Sequence, residues 1–292
     1  MKKYFMYALS MAVCVSMVSC GDDDDNEQGG GTPVHGEAVE SPAISDLGGY
    51  HLIDLNGSDS YGNVYGGSHF NYNNAGALSE VFDGDDKMSI DYRNGTVTFT
   101  EDGESQNCAL YTNSKGYVTR IIFSGYESPS EPFTVTHNFV YNSDDRLISY
   151  SCIDTGKDEG SDYREEQVCE LTWEGDLLVR STVRESRNGV TEWENATTFG
   201  YTDAPVNTHM QYTVSLMHNL DIDGDISAPI LAGAFGKGPA KYPTSIIKEY
   251  ETVANTYSIN TAGLVDEESN TSTYSGDAGS FTQTWKYTYS KL

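Results

Sequence analysis

Four short stretches of this chain share one pattern. Asn73-Asn74-Ala75-Gly76, Asn113-Ser114-Lys115-Gly116, Asn142-Ser143-Asp144-Asp145 and Asn260-Thr261-Ala262-Gly263 each run Asn, a small or polar pair, then Gly or Asp. Each is followed at once by a strand-like start: Ala77-Leu78, Tyr117-Val118, Arg146-Leu147 and Leu264-Val265. The pattern predicts a type I turn closed by a left-handed residue. The leading Asn can bond the backbone ahead of it. A closing Gly takes positive φ without strain, and Asp145 is a tolerable substitute. Such turns join antiparallel strands into bulged hairpins. Asn94-Gly95 and Glu174-Gly175-Asp176 mark two further hairpins.

Register follows from the turns. A two-residue Asn94-Gly95 turn places Tyr92 opposite Val97 and Ile90 opposite Phe99. Around Asn142–Asp145, Phe139 meets Ile148 and His137 meets Tyr150. Carried on through a further hairpin, Cys152 meets Cys169, Tyr150 meets Leu171 and Ile148 meets Trp173. Around Glu174–Asp176, Trp173 meets Leu177 and Leu171 meets Val179. One apolar face then crosses four strands from about Val135 to Val183, and a one-residue slip would destroy it. Cys152 and Cys169 thus become candidates for a cross-strand disulfide. The plainer reading is two buried thiols in adjacent strands.

The rest of the chain agrees with an all-β reading. It holds 21 tyrosines among many Thr, Val and Phe residues, and helical periodicity is scarce. The expected fold is a large antiparallel meander of hairpins, forming a curved sheet or open barrel. One short helical insert is expected near 228–236. Ala228–Phe235 carries Pro229 in its first turn, and Gly236, Gly238, Pro239 and Pro243 end it. The stretch His209–Leu220 reads as strand or loop.

The N-terminus has its own logic. Lys2 and Lys3 precede an apolar run from Tyr4 to Val18. As a helix that run would rise about 22 Å, short of a hydrocarbon core of about 30 Å. It therefore reads as a secretory signal over residues 1–19. Val18-Ser19-Cys20-Gly21 resembles the lipobox of bacterial lipoproteins, which implies lipid attachment at Cys20. Asp22, Asp23, Asp24 and Asp25 follow at once. A run of like charge suits an extended tether. It also resembles the acidic export signal of Bacteroidetes lipoproteins, which implies delivery to the outer face of the outer membrane. Residues 20–45, with Gly29-Gly30-Gly31, Pro33 and Pro42, form a lipidated tether, and 46–292 form a single β-domain.

Processing removes Lys2 and Lys3 from 17 basic residues, so 15 face 44 acidic ones, a charge of about −29. Nucleic acid is an unsuitable partner for that charge. The link to the membrane must come through the N-terminal lipid alone. Cys14 leaves with the signal and Cys20 takes the lipid, so Cys108, Cys152 and Cys169 remain in a compartment that permits disulfides.

Asn113-Ser114-Lys115-Gly116-Tyr117-Val118, Tyr141-Asn142-Ser143-Asp144-Asp145-Arg146-Leu147 and Trp173-Glu174-Gly175-Asp176-Leu177-Leu178 resemble the strand-turn-strand units of a Bacteroidetes lipoprotein family with a porin-like fold. The stretch from Leu231 to Pro243, with Phe235-Gly236-Lys237, resembles that family's helix-and-loop insert. The likeness spans roughly Gly49 to Leu292. It implies a large curved or barrel-like sheet and no established activity. It does not imply a pore. A spanning strand needs about 9 to 11 residues with one apolar face. Here clean alternation runs about 4 to 7 residues, and Arg180, Arg184 and Glu185 crowd the strands.

Chemistry-bearing patterns are sparse. Asp221, Asp223 and Asp225 could ligate calcium, but an EF-hand loop begun there would want Gly and Glu where Ile226 and Ala232 stand. An acidic turn is the plainer reading. No nucleophile elbow, phosphate loop or His-Glu-x-x-His is present. No catalytic residue, metal site or cofactor is therefore expected. Trp193 and Trp285 could stack on sugars if exposed on the sheet, although strand aromatics more often fill a core. The expectation is an outer-membrane, surface-exposed lipoprotein acting as a non-catalytic binding or accessory module for an extracellular glycan, peptide or protein. One alternative is a periplasmic or outer-membrane carrier of lipid or another hydrophobic ligand. The other is a hydrolase with dispersed acids.

Overall fold

The computed structural model describes residues 36–292, except 41, 44–46, 102–103, 129–130, 159, 221, 223–228 and 277–278. The signal segment, Cys20 and Asp22–Asp25 lie outside the described residues. So do Asp221, Asp223 and Asp225.

Sixteen antiparallel strands follow one another around a closed barrel. The first eight are Tyr50–Asp59 (β1), Val64–Tyr72 (β2), Leu78–Asp83 (β3), Asp86–Asp91 (β4), Thr96–Glu101 (β5), Glu104–Thr112 (β6), Val118–Ser128 (β7) and Glu131–Tyr141 (β8). The second eight are Leu147–Asp158 (β9), Ser161–Glu174 (β10), Leu177–Arg187 (β11), Val190–Gly200 (β12), Ser245–Ile247 (β13), Glu251–Ile259 (β14), Val265–Tyr274 (β15) and Ser280–Lys291 (β16). The meander closes where β1 pairs with β16, from Tyr50↔Lys291 to Asp59↔Gln283. The sheet is therefore a full barrel.

All four Asn turns form as the sequence implies. Each Asn side-chain oxygen accepts the backbone N–H two and four residues ahead, at 2.9–3.1 Å. The closing residues Gly76, Gly116, Asp145 and Gly263 have φ of 81°, 83°, 67° and 82°. These turns all lie at one end of the barrel, here called the base. The connections of the other end form the mouth.

A longer loop at Asn94-Gly95 and bulges next to other base turns move the expected registers by two residues. Asp91 pairs with Thr96, so Ile90 faces Val97 and Met88 faces Phe99. The loop there is four residues, because Asp91 accepts hydrogen bonds from Asn94. A bulge between Val140 and Tyr141 puts Phe139 opposite Tyr150 and His137 opposite Cys152. Cys152 then faces Gln167, and Cys169 faces Tyr150 and Val183. Cys152 and Cys169 are diagonal neighbours, about 7–8 Å apart, which is wider than a disulfide spans. The structure records Cys108, Cys152 and Cys169 as thiols. A shift of two keeps every side chain on its face, so the continuous apolar face survives: Phe139, Tyr150, Cys169, Leu171 and Val183 are all buried.

The bulges also leave carbonyls at the strand starts, and aromatic side chains take them up. Tyr72 donates to Leu52, Tyr92 to Leu78, Tyr141 to Val118, Trp173 to Leu147, Tyr201 to Leu178 and Tyr289 to Val265, all at 2.7–2.9 Å. Each link ties the end of one strand to the start of the strand before it. The base is stitched hairpin to hairpin.

A sixteen-stranded barrel is wide enough for an aqueous channel. Here the base half is filled instead. The chain between β12 and β13 folds inward, and Tyr212, Leu216, Met217, Ile230, Phe235 and Tyr242 are at most 2% exposed. Phe235 meets the wall edge-on at Phe139, 4.6 Å between centroids. The insert holds a short helix, Val214–His218 (α1), where a strand or loop was expected. Near 228–236 helical backbone covers residues 229–231 and gives way to turns at 232–235. Gly233 and Gly236 there take φ of 85° and 88°. The first amides of α1 are met by the wall: Val214 N–H donates to the Tyr287 hydroxyl and Ser215 N–H to Glu268. No local sequence signal could show that.

The outer wall is polar. Hydroxyl and amide side chains pair across strands there at 2.7–3.2 Å: Thr98 with Asn107, Ser124 with Thr134, Asn138 with Ser151, Ser269 with Thr284 and Thr271 with Thr282. Glu170, Arg180 and Arg184 face outward and are exposed. Several strands reach 9 to 14 residues, longer than the clean alternations suggest. Length alone would permit spanning, but each lipid-facing Arg would cost about 2–4 kcal/mol near the midplane. The apolar face points inward, the reverse of a membrane-spanning barrel.

Candidate functional site

The base is covered by the chain's own N-terminal segment. Before β1 the chain runs as a strap across the base. Gly36 N–H bonds Gly95 O, Val39 N–H bonds Tyr92 O, and Ala43 N–H bonds Gly116 O. Leu47 is buried in the core, and a Cβ on Gly48 would stand 2.2 Å from the His209 ring. His209 in turn contacts Ala262 O at 2.8 Å. A cavity of about 210 Å³ remains between strap and insert, lined by Tyr117, Met210 and Lys237 among others.

Above α1 the inward-facing residues become polar. His218 ends the helix and is exposed. Its imidazole is nevertheless held below the ordinary range, first by burial and then by the Lys248 ammonium. The ring is surrounded by protein yet keeps an accessible face, and the space around it above the insert is here called the chamber. The ring meets Trp285 edge-on, with centroids 5.8 Å apart. Trp285 lies flat on the neighbouring strand because Gly57 stands opposite: a Cβ there would be 2.6 Å from the indole. Gly125 makes the same room for Phe133. Such glycines let large rings lie along the wall and not across the lumen.

The amides of this region are incompletely satisfied. Asn219 donates to Ser215 O at 2.6 Å, which fixes its side-chain oxygen as the remaining acceptor. That oxygen and the Asn270 side-chain oxygen are buried without a partner. Ser215 joins the two through Asn255, which pairs with Asn270 across β14 and β15. Asn270 faces Gln283 on β16. Nearer the rim, Lys248 and Glu251 approach to 3.7 Å.

The opposite wall is charged. Asp154 faces Glu165 across β9 and β10. Tyr163 donates to Asp154 at 3.1 Å, and Arg187 pairs with Glu165 at 3.4 Å. Glu185 faces Trp193. A groove of about 230 Å³ opens at this rim, beside Phe133, Gly156 and Asp162. Among the described residues no group of three His, Cys, Asp or Glu could hold a metal ion.

The rim itself carries exposed apolar groups: Tyr61 (76% exposed), Val64, Val190, Tyr250 (67%) and Tyr274. Tyr61 stacks on Phe281 at 5.7 Å. Trp193 and Trp285 both turn inward and are half-buried, so neither is an outer-surface platform. His209 and His218 lie on opposite sides of the insert, one under the strap and one in the chamber. The sequence did not mark His218, Asn219 or Asn270, because their association depends on how the insert folds back into the barrel.

Solved structures share this architecture. A porin-like protein from Bacteroides uniformis superposes with a TM-score of 0.59 at 17% identity, covering 87% of this chain and 100% of that one. A porin-like protein from Bacteroides vulgatus gives 0.52 at 11% identity, covering 82% and 99%. This chain has the fold of those porin-like barrels. No family model matches the sequence, and neither does any curated protein. At these identities the likeness concerns the fold alone. It agrees with the expected barrel-like, all-β architecture.

Proposed function

We propose that this protein is an outer-membrane lipoprotein, exposed at the cell surface, that acts as a non-catalytic binding module through the mouth of its barrel. The observation that carries the reading is the polarity of the barrel. The strap, the Asn turns and the sealing insert share one end, while the exposed aromatics and the accessible His218 ring share the other. A lipid on Cys20 lies 16 residues before Gly36, where the chain joins the base. An anchor there holds the base towards the membrane and turns the mouth away, towards an extracellular glycan, peptide or protein. The polar outer wall supports attachment through the lipid alone. The filled base half leaves little of the apolar hollow that a lipid carrier needs.

The test is protease treatment of intact cells. Native protein should be cut. A variant with Asp22–Asp25 replaced should stay anchored but protected, and Cys20→Ala should leave the membrane fraction. A native protein that is anchored yet protected would overturn the surface reading.

A further inference from the structure

We propose that the mouth holds a neutral saccharide on a track formed by β15, β16 and the β1–β2 connection. This deepens the reading above and rests on it. The track begins at the rim, where Tyr61 lies in solvent over Phe281. It descends β16, where alternate residues face inward: Phe281, Gln283, then Trp285 against Gly57. It ends on the floor made by His218 and Asn219.

Three features define the ligand chemistry. Flat aromatic faces along a wall suit the apolar C–H face of a sugar ring, and two such stations stand four residues apart on one strand. The buried oxygens of Asn219 and Asn270 lack donors within the protein. An unsatisfied buried acceptor costs about 1–3 kcal/mol, so the site gains from a ligand that brings hydroxyl donors. Carboxylates at Asp154, Glu165, Glu185 and Glu251 also face the lumen and outnumber the two cations paired with them, Arg187 and Lys248, in a chain of formal charge −27. That field disfavours anionic sugars and lipid phosphates. A neutral oligosaccharide entering end-on meets all three conditions.

The experiment uses the full mature chain in detergent, titrated calorimetrically with malto-, cello-, manno- and xylo-hexaose. At least one should bind. Tyr61→Ala, at an exposed position that leaves the barrel intact, should weaken that binding about tenfold, and so should Asn270→Leu, checked for folding by circular dichroism. Only three tryptophans are present, so a Trp173→Phe/Trp193→Phe variant leaves Trp285 as the sole reporter, and its emission should shift with sugar. Binding to none of the four sugars, or binding indifferent to Tyr61→Ala with a silent Trp285, overturns the saccharide site. Either result leaves the surface reading standing if intact cells expose the protein. Protection from protease with sugar binding retained overturns that reading instead.

Discussion

At the base, an aromatic residue at or beside the end of each of six strands reaches back to a carbonyl of the preceding strand. At the mouth, Tyr61, Tyr250 and Tyr274 are of the same type but stand exposed to solvent. One barrel thus spends similar residues in two ways. The base uses them to close hydrogen bonds that bulges leave open, and the insert packs behind them. The mouth keeps them accessible over a polar, partly unsatisfied interior. Stability should therefore reside at one end and recognition at the other.

The sharpest test of that division is Phe235→Ala. Phe235 is 2% exposed and bridges insert and wall at Phe139. Truncation should cost about 3–5 kcal/mol in urea unfolding. A loss below about 1 kcal/mol would mean that the insert is not a structural part of the base.

The next test is pH. Glu268 is fully buried where the wall meets α1, accepting from Tyr287 at 2.7 Å and from Ser215 N–H. Burial pushes its carboxyl up to about 7 from 4.5, while those hydrogen bonds hold it down. Between those values the native state keeps a proton that the unfolded chain has released. The contribution is therefore present in full below pH 4.5 and is lost as pH rises through 7, in total about 3 kcal/mol. Glu268→Gln should flatten that part of the stability profile and be the more stable protein at pH 8. Parallel profiles for the two proteins would show that Glu268 is not the group that titrates.

How much of this was legible beforehand divides along the same axis. The turns were legible because their chemistry is local: Asn, a short pair, and a residue that tolerates positive φ. The antiparallel meander followed from them. Registers were right in face and wrong by two residues, because the bulges at Asn71/Tyr72, Val140/Tyr141 and Thr172/Trp173 are set by Tyr and Trp side chains reaching another hairpin. The offset that placed Cys152 opposite Cys169 lies instead in the β9–β10 pair, which holds no bulge and joins at the mouth. Closure of the barrel and the fold of 201–244 depend on contacts between distant residues, such as Tyr287 with Val214. The chamber inherits that dependence. His218, Asn219 and Asn270 carry no motif, and they share a floor only after the insert has turned inward.

A smaller effect probes the turns themselves. Asn113 accepts two backbone amides, at 2.9 and 3.1 Å. Asn113→Ala should cost about 1–2 kcal/mol by urea unfolding, with exchange of the Lys115 and Tyr117 amides accelerated. If the cost were nearer zero, the base would owe its stability to the stitching and the insert alone.

The smallest expected effect bears hardest on the comparison. Tyr61→Ala and Tyr250→Ala remove rings that are 76% and 67% exposed. Each ring has one local tie: Tyr61 stacks on Phe281, and the Tyr250 hydroxyl bonds Glu249, which raises its pKa. Exposed contacts of that kind contribute little, so either change should move the unfolding midpoint by no more than about 0.5 kcal/mol of stability. A large exposed apolar residue carries a liability, since contiguous patches invite association. If removal left stability untouched and also left every surface interaction untouched, these rings would have no purpose at the rim. If removal destabilised the barrel by more than 1 kcal/mol, the mouth would be structural like the base, and the division of labour would fail. Unchanged stability with altered surface binding is the outcome that the architecture requires.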